Sequence, residues 1–241
     1  MLVLLPPSET KADGGDGPPL DLDALSFPQL TPVRRKLADA LVALADDVPA
    51  SLAALGLTER QTAEVTRNRA LRTSPTLPAL CRYTGVLYDA LDVPGMSRAE
   101  RRRAEARLAV GSALFGVVRG ADAIPAYRLS GGSVLPSVGP LRGLWRPALE
   151  PALAETDLLI DLRSGVYANL GAPDNAVTVR VVDAEKRLAI SHFNKAHKGR
   201  LAWMLATAPR TPTTVTGLLR TAGRAGFRLV RTGERALDLI V

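Results

Sequence analysis

The sequence predicts a mixed α/β fold: one compact domain over residues 1–241, with a central mixed sheet and flanking helices. Three observations carry this expectation. Short apolar runs at 2–5, 111–118 and 157–162 read as buried strands; a stretch with helical periodicity at 141–153 separates the last two; and a helix followed by two strand-like runs closes the chain. Such alternation belongs to the α/β class. With 46% hydrophobic and 23% charged residues over 241 positions, the chain can bury a core of that size, and whole-chain disorder is excluded.

The first run, Leu2 to Leu5, is stopped by Pro6-Pro7, which lack the N–H that a strand ladder needs. Residues 12–19 are rich in Gly, Asp and Pro and are expected to be a mobile loop. From Thr31, an N-cap with Pro32 at the first helical position, Val33, Leu37, Leu41 and Leu44 recur at helical spacing. Thr58-Glu59-Arg60-Gln61 has capping-box form and opens a polar helix to about Leu71. Pro75 and Pro78 then break the pattern, and a helix-poor connection is expected. The helices over about 28–75 are a candidate subdomain. Ser97-Arg98-Ala99-Glu100 is a second capping box, leading a helix whose Arg98, Arg101, Arg102, Arg103 and Arg107 give it a cationic exposed face. Residues 177–182 and 187–190 read as a hairpin-like pair. Helices follow over 193–205 and from about Thr214, and strands over 227–231 and 236–241 end the chain.

Charge is uneven along this sequence. Of 31 basic and 24 acidic residues, the first 57 positions hold 4 and 8, so the remainder carries 27 against 16. A basic body attracts polyanions, of which nucleic acid is the commonest in a cytosol, although Arg-rich usage also arises from composition bias alone. The lone Cys81 excludes an internal disulfide and a cysteine-pair zinc site. No apolar run approaches the roughly 20 residues that span a bilayer, and the opening run has no signal-peptide form. A soluble cytoplasmic monomer with no membrane partner is expected.

Phosphate-loop, dinucleotide, zincin, nucleophile-elbow and CxxC signatures are absent, so no cofactor is expected. The most distinctive stretch is 191–200. On a helix, Lys195 and Lys198 share a face and form a cationic ridge, and Gly199 in mid-helix implies close approach by a neighbour or a ligand; the plainer alternative is a solvated basic face. After an apolar strand, Arg119 and Arg128 offer guanidinium forks to an anion, unless Arg119 serves a buried ion pair with Asp122. Arg163 and Tyr167 follow another strand, where α/β proteins place binding residues, so these strand-end motifs are expected to share one cleft. Residues 52–63 partly fit a helix-hairpin-helix, but Thr58 replaces its second glycine and an ordinary packing unit fits as well.

Taken in order, several motifs resemble the YaaA, or peroxide stress protein, family. They are Leu2 to Lys11 with its Pro-Pro-Ser-Glu-Thr-Lys, Arg82-Tyr83-Thr84-Gly85-Val86-Leu87-Tyr88, and Ala113-Leu114-Phe115-Gly116-Val117-Val118-Arg119. Ile124-Pro125-Ala126-Tyr127-Arg128-Leu129, Leu144-Trp145 and Lys195-Ala196-His197-Lys198-Gly199-Arg200 complete the set. The resemblance implies a cytosolic protein that protects DNA and proteins from peroxide, linked to restraint of intracellular iron, with a compact mixed α/β fold and a basic cleft suited to DNA.

Two functional readings stay open. In the first, Lys11, Arg119, Arg128, Arg163, Lys195, Lys198 and Arg200 line a cleft that binds DNA phosphates largely without regard to sequence. In the second, the same cleft takes a small anionic substrate, with Ser8, Glu9, Lys11, Tyr83, Tyr88, Tyr127 and Arg128 as reaction-capable groups. Direct iron binding would draw on Glu9, Asp161 and His192, for which no ligand spacing exists. Cys81 as a peroxide sensor is weighed against the commoner buried, inert thiol.

Overall fold

The computed structural model describes residues 1–163, 165–185 and 194–241. The first part of the chain holds β1 (Leu2–Leu5), β2 (Gly17–Pro19), α1 (Thr31–Leu44), α2 (Val48–Leu55), α3 (Thr62–Arg69), β3 (Pro75–Pro78), α4 (Ala79–Arg82) and α5 (Val86–Leu91). The middle holds α6 (Arg98–Arg107), β4 (Leu108–Ser112), β5 (Gly116–Arg119), β6 (Ala123–Ile124), β7 (Val134–Leu135), β8 (Gly139–Pro140) and α7 (Leu141–Ala154). The last part holds β9 (Leu159–Asp161), α8 (Val166–Asn169), β10 (Val177–Val182), α9 (Asn194–Thr207), α10 (Val215–Arg224), β11 (Arg228–Arg231) and β12 (Ala236–Ile240).

A seven-stranded sheet runs in the order β11-β12-β10-β9-β1-β4-β5. Its inner strands are parallel, with Val3 opposite Leu108 on one side of β1 and Leu4 opposite Asp161 on the other. The edges formed by β5 and β11 are antiparallel, so the sheet is mixed as expected. Parallel strands covered on both faces need side chains that are apolar in both directions, which is why β1 reads Leu-Val-Leu-Leu and is buried throughout. Leu30, Leu37, Ala38 and Leu41, from the N-terminal helical stretch, belong to the same buried cluster as these strands.

Several expectations are corrected. The apolar run 111–118 is not one strand but a hairpin: β4 and β5 pair antiparallel, with Gly111 opposite Val117. Gly116 takes a φ of +73° at the turn, and a Cβ there would stand 2.6 Å from the Trp145 ring. The turn is also held from α1, where the buried Arg34 donates from Nε to Phe115 O (2.9 Å) and from Nη2 to Val117 O (2.8 Å) and Ser26 O (2.7 Å). Burial pushes the Arg34 guanidinium down to about 10, against the pull of Asp122. Residues 72–96 are not helix-poor, since they contain α4 and α5 besides β3.

The stretch 12–19 is not a free loop. β2 pairs with β3, and the fully buried Arg82 donates to Ala12 O (2.5 Å) and Gly14 O (2.8 Å). Gly15 lies so close to this ladder that a Cβ would meet Thr76 O at 2.4 Å. Thr31 is inside α1 rather than capping it, its hydroxyl donating to Leu22 O. The second capping box forms as expected, with Ser97 N donating to Glu100 Oε2 at 2.9 Å. Arg107 leaves the cationic face: it is buried and donates to the carbonyls of Leu205, Ala206 and Ala208 at the C-terminal end of α9, where a cation offsets the helix dipole.

Residues 52–63 form an ordinary helix–turn–helix unit closed by its own groups. Gly56 ends α2 in the left-handed conformation, and Thr58 N donates to Gln61 Oε1 at 3.1 Å. β10 has β12 and β9 as its neighbours, both parallel. Its expected hairpin partner, 187–190, lies outside the described residues, as do Ser164, His192 and Phe193. Among the described residues no helix is long and apolar enough to cross a membrane.

Candidate functional site

From β1 the chain proceeds toward β4 on one side of the sheet, whereas β9 leads to β10 on the other. The crevice beyond the carboxyl ends of β1 and β9 therefore lies where the strand order reverses, the usual place for a ligand in an open α/β sheet. A cavity of about 530 Å³ opens there. One wall is the segment Pro6 to Thr10 that leaves β1; the others come from Thr84, Gly85 and the first turn of α5, from Tyr167 of α8, and from Asn194, Lys195 and Lys198 at the start of α9.

Hydroxyls and one carboxylate give the β1 wall its chemistry. Ser8 Oγ and Thr10 Oγ1 are 3.1 Å apart, and Thr84 Oγ1 donates to Thr10 Oγ1 at 3.1 Å. Gly85, at a φ of +96°, brings its backbone against this cluster; a Cβ would sit 3.4 Å from Thr10 Oγ1. Glu9 forms an ion pair with Arg128, Nη1 to Oε2 at 2.7 Å, and accepts from the Tyr167 hydroxyl at 3.3 Å, and about half its side-chain surface stays open to solvent.

Beneath this wall lies a buried polar layer. Lys11 Nζ donates to Ser8 O (3.1 Å) and Glu9 O (3.5 Å), and stands 4.4 Å from the Tyr127 ring centroid. Burial lowers its ammonium to about 8, with Glu9 working the other way. The Tyr127 hydroxyl is 2.8 Å from that of Tyr83 and 2.7 Å from Ser112 Oγ. Ser112 Oγ accepts from Leu114 N and Phe115 N, which fill its two lone pairs, so its own proton goes to Tyr127 and the proton of Tyr127 goes to Tyr83. Burial pushes both phenols up and keeps them protonated. Tyr88, stacked on Tyr83 with centroids 5.6 Å apart, donates to Pro6 O at 2.9 Å and so fixes the exit of β1.

The profile of a protein family described as peroxide stress protein YaaA matches residues 1–230. The chain belongs to that family. A UPF0246 protein of Corynebacterium efficiens is 50% identical over all of both chains. One from Corynebacterium glutamicum is 46% identical over 94% of each chain, and one from Streptomyces coelicolor is 45% identical over 92% of this chain and 90% of its own.

The motifs that resemble the YaaA family converge only in part. Of the residues singled out above, Ser8, Glu9, Tyr88, Lys195 and Lys198 line the cavity, while Lys11, Tyr83 and Tyr127 lie in the layer behind it and Arg128 reaches it through Glu9. Lys195 and Lys198 do not form a common exposed ridge. Lys195 is exposed, whereas Lys198 is buried and donates to Leu162 O at 2.8 Å, its ammonium lowered by desolvation against the attraction of Asp161. Arg163 is committed to a buried bidentate pair with Asp161 (2.9 and 2.8 Å) and to Gly171 O, and Gly111 leaves room for its stem, a Cβ there meeting Arg163 Cδ at 2.6 Å.

Arg119 and Arg200 are not among the residues lining the cavity. Arg119 donates to Ala106 O at 2.7 Å and lies over the Phe27 ring, and its expected ion pair with Asp122 is replaced by a backbone bond, Arg119 N to Asp122 Oδ2 at 2.8 Å. Arg200 is exposed on α9. Gly199 is explained by a neighbour: a Cβ would meet Leu87 O of α5 at 2.3 Å. Cys81 is half-buried and accepts from Arg101 Nη2 at 2.9 Å. Tyr167, expected at a strand end, lines the cavity, and so do Thr10, Thr84, Gly85 and Asn194, which were not singled out; Thr10, Thr84 and Gly85 sit inside motifs already quoted, which was the available signal.

Proposed function

We propose that this YaaA-family chain acts in peroxide-stress protection by binding a small anionic ligand in the cavity beyond β1 and β9. The observation that carries the reading is that Lys195 and Lys198 line the same 530 Å³ space as the Ser8, Thr10 and Thr84 hydroxyls and the Glu9 carboxylate. That volume suits a small molecule, and a few convergent polar groups in a cavity are what orient one. The exposed Lys195 draws the anion in. The Ser8, Thr10 and Thr84 hydroxyls, which bond within their own cluster, would turn to a ligand as donors, and Lys198, with one of its three N–H bonds directed to Leu162 O, holds two more. Glu9, clamped by Arg128 and Tyr167, is the group placed to accept a proton from a bound ligand. On this reading any effect on cellular iron is indirect.

The test is calorimetric titration with inorganic phosphate, pyrophosphate and a short DNA duplex, on the parent protein and on Lys195→Ala and Thr84→Val. Saturable binding of a small anion, weakened by both substitutions, is expected. A second reading, DNA bound through phosphates, is favoured by the 27 basic against 16 acidic residues beyond position 57. Its mark is duplex affinity that falls steeply with salt, with small anions failing to bind.

A further inference from the structure

We propose that a second cavity, between α6, α9 and α10, is a binding site for a nucleotide, that is, an aromatic base carrying a phosphate chain. The cavity is an open groove of about 590 Å³ and is separate in its lining from the one beyond β1. Two features set its chemistry. The first is Trp203, which lines this cavity and is 40% exposed, while the other tryptophan, Trp145, is completely buried. Met204, Pro209 and Ala225 extend the apolar surface beside the indole. An indole left open at the wall of a cavity offers a flat face on which a base can stack.

The second feature is charge. Arg103, Arg210 and Arg224 line the same cavity, and among the described residues none of the three makes an ion pair. Arg103 is steadied by Nε donating to Thr207 O at 3.2 Å, and its terminal nitrogens carry no further hydrogen bond among the described residues. The single carboxylate on the cavity, Glu100, is engaged by Ser97 as the partner of the α6 capping box, at 2.6 Å from its hydroxyl. A simple inorganic anion has no use for the indole and Met204, and an apolar ligand has none for three guanidiniums. A ligand with an aromatic ring at one end and phosphates at the other uses both, and guanidinium forks match phosphate oxygens in geometry as well as charge. The bases of an intact duplex are stacked on each other and cannot present a face to Trp203.

The experiment titrates the full-length protein with ATP, with adenosine and with tripolyphosphate, following tryptophan fluorescence together with equilibrium dialysis. Because Trp145 is sealed from solvent, quenching reports on Trp203. ATP is expected to bind saturably and at least about tenfold more tightly than adenosine or tripolyphosphate. Trp203→Ala is expected to weaken ATP by about fivefold or more and to leave tripolyphosphate unchanged. The exposed double variant Arg210→Ala/Arg224→Ala is expected to weaken ATP and tripolyphosphate alike and to leave adenosine unchanged. Circular dichroism checks that each variant is folded. Equal affinity for ATP and tripolyphosphate overturns the proposal, as does loss of ATP binding in Lys195→Ala, which places the ligand in the other cavity. Binding of single-stranded oligonucleotide without any binding of ATP overturns it as well.

Discussion

Replacing Gly199 by alanine separates packing from helix propensity. In an isolated helix the change stabilises by about 1 kcal/mol. Here the new methyl would stand 2.3 Å from Leu87 O and 2.8 Å from Ala90 Cβ. Since a comfortable contact is about 3.5 Å, α5 and α9 must separate by about 1 Å. Overpacking of this kind costs about 1–3 kcal/mol, and more where the obstacle is backbone, so a net loss of about 2 kcal/mol is expected after the propensity gain. For a chain of this length that lowers Tm by about 4–8 °C. The control is Gly143→Ala on α7, where a Cβ meets nothing within 4 Å and a gain of about 0.5–1 kcal/mol is expected. Thermal and urea unfolding measure both. A Gly199→Ala protein as stable as the parent would refute the reasoning, because it would mean that the α5–α9 seam yields freely. The same substitution is expected to weaken anion binding, since α5 and α9 each supply a wall of the cavity.

Asp161→Asn leaves the Arg163 guanidinium buried without its counter-charge and is expected to cost about 3–5 kcal/mol in urea unfolding; a loss below 1 kcal/mol would show the pair to be dispensable. Lys11, lowered by burial to about 8 from an ordinary 10.5, binds its proton less firmly in the folded state than in the unfolded one. Its penalty is therefore present in full below pH 8 and fades as pH rises from 8 toward 10.5, so the parent should gain stability relative to Lys11→Met over that window, by no more than about 3 kcal/mol in all. A flat difference between pH 7.5 and 9.5 would contradict this. Ser112→Ala removes the acceptor for Leu114 N and Phe115 N and the donor to Tyr127, and a loss of about 2–3 kcal/mol is expected, with Ser112→Thr recovering part of it.

Most of the fold was legible because the apolar pattern and the terminator residues act locally. β1, α7, β9 and β10 fall where apolar runs, apolar–polar alternation or helical spacing put them, and Ser97 with Glu100 marks the start of α6 within hydrogen-bonding reach. Two of the misreadings turn on long-range partners. The hairpin of β4 and β5 depends on Arg34, more than seventy positions away, to satisfy the carbonyls of its turn. Order in 12–19 likewise depends on Arg82 and on pairing with β3, whereas its Gly and Pro content taken alone points to a loop.

The site was legible as motifs and misjudged as charge. Counting cations treats each Lys and Arg as available to a ligand, but a buried cation must first replace its water, and the cheapest replacement is a nearby carbonyl or carboxylate. Lys198 took Leu162 O, Arg163 took Asp161, Arg107 took the end of α9 and Arg82 took four carbonyls, so these cations hold the walls in place. Lys195, which makes no such bond among the described residues, is the one of the seven expected cations that is both exposed and on the cavity. It follows that Lys195→Ala should reduce anion affinity without loss of stability, whereas Lys198→Met should reduce both, and unfolding measured beside binding for the two variants tells a ligand contact from a structural one. Equal stability loss in both would return Lys195 to the scaffold and leave the hydroxyl cluster of Ser8, Thr10 and Thr84 as the anion's principal donors.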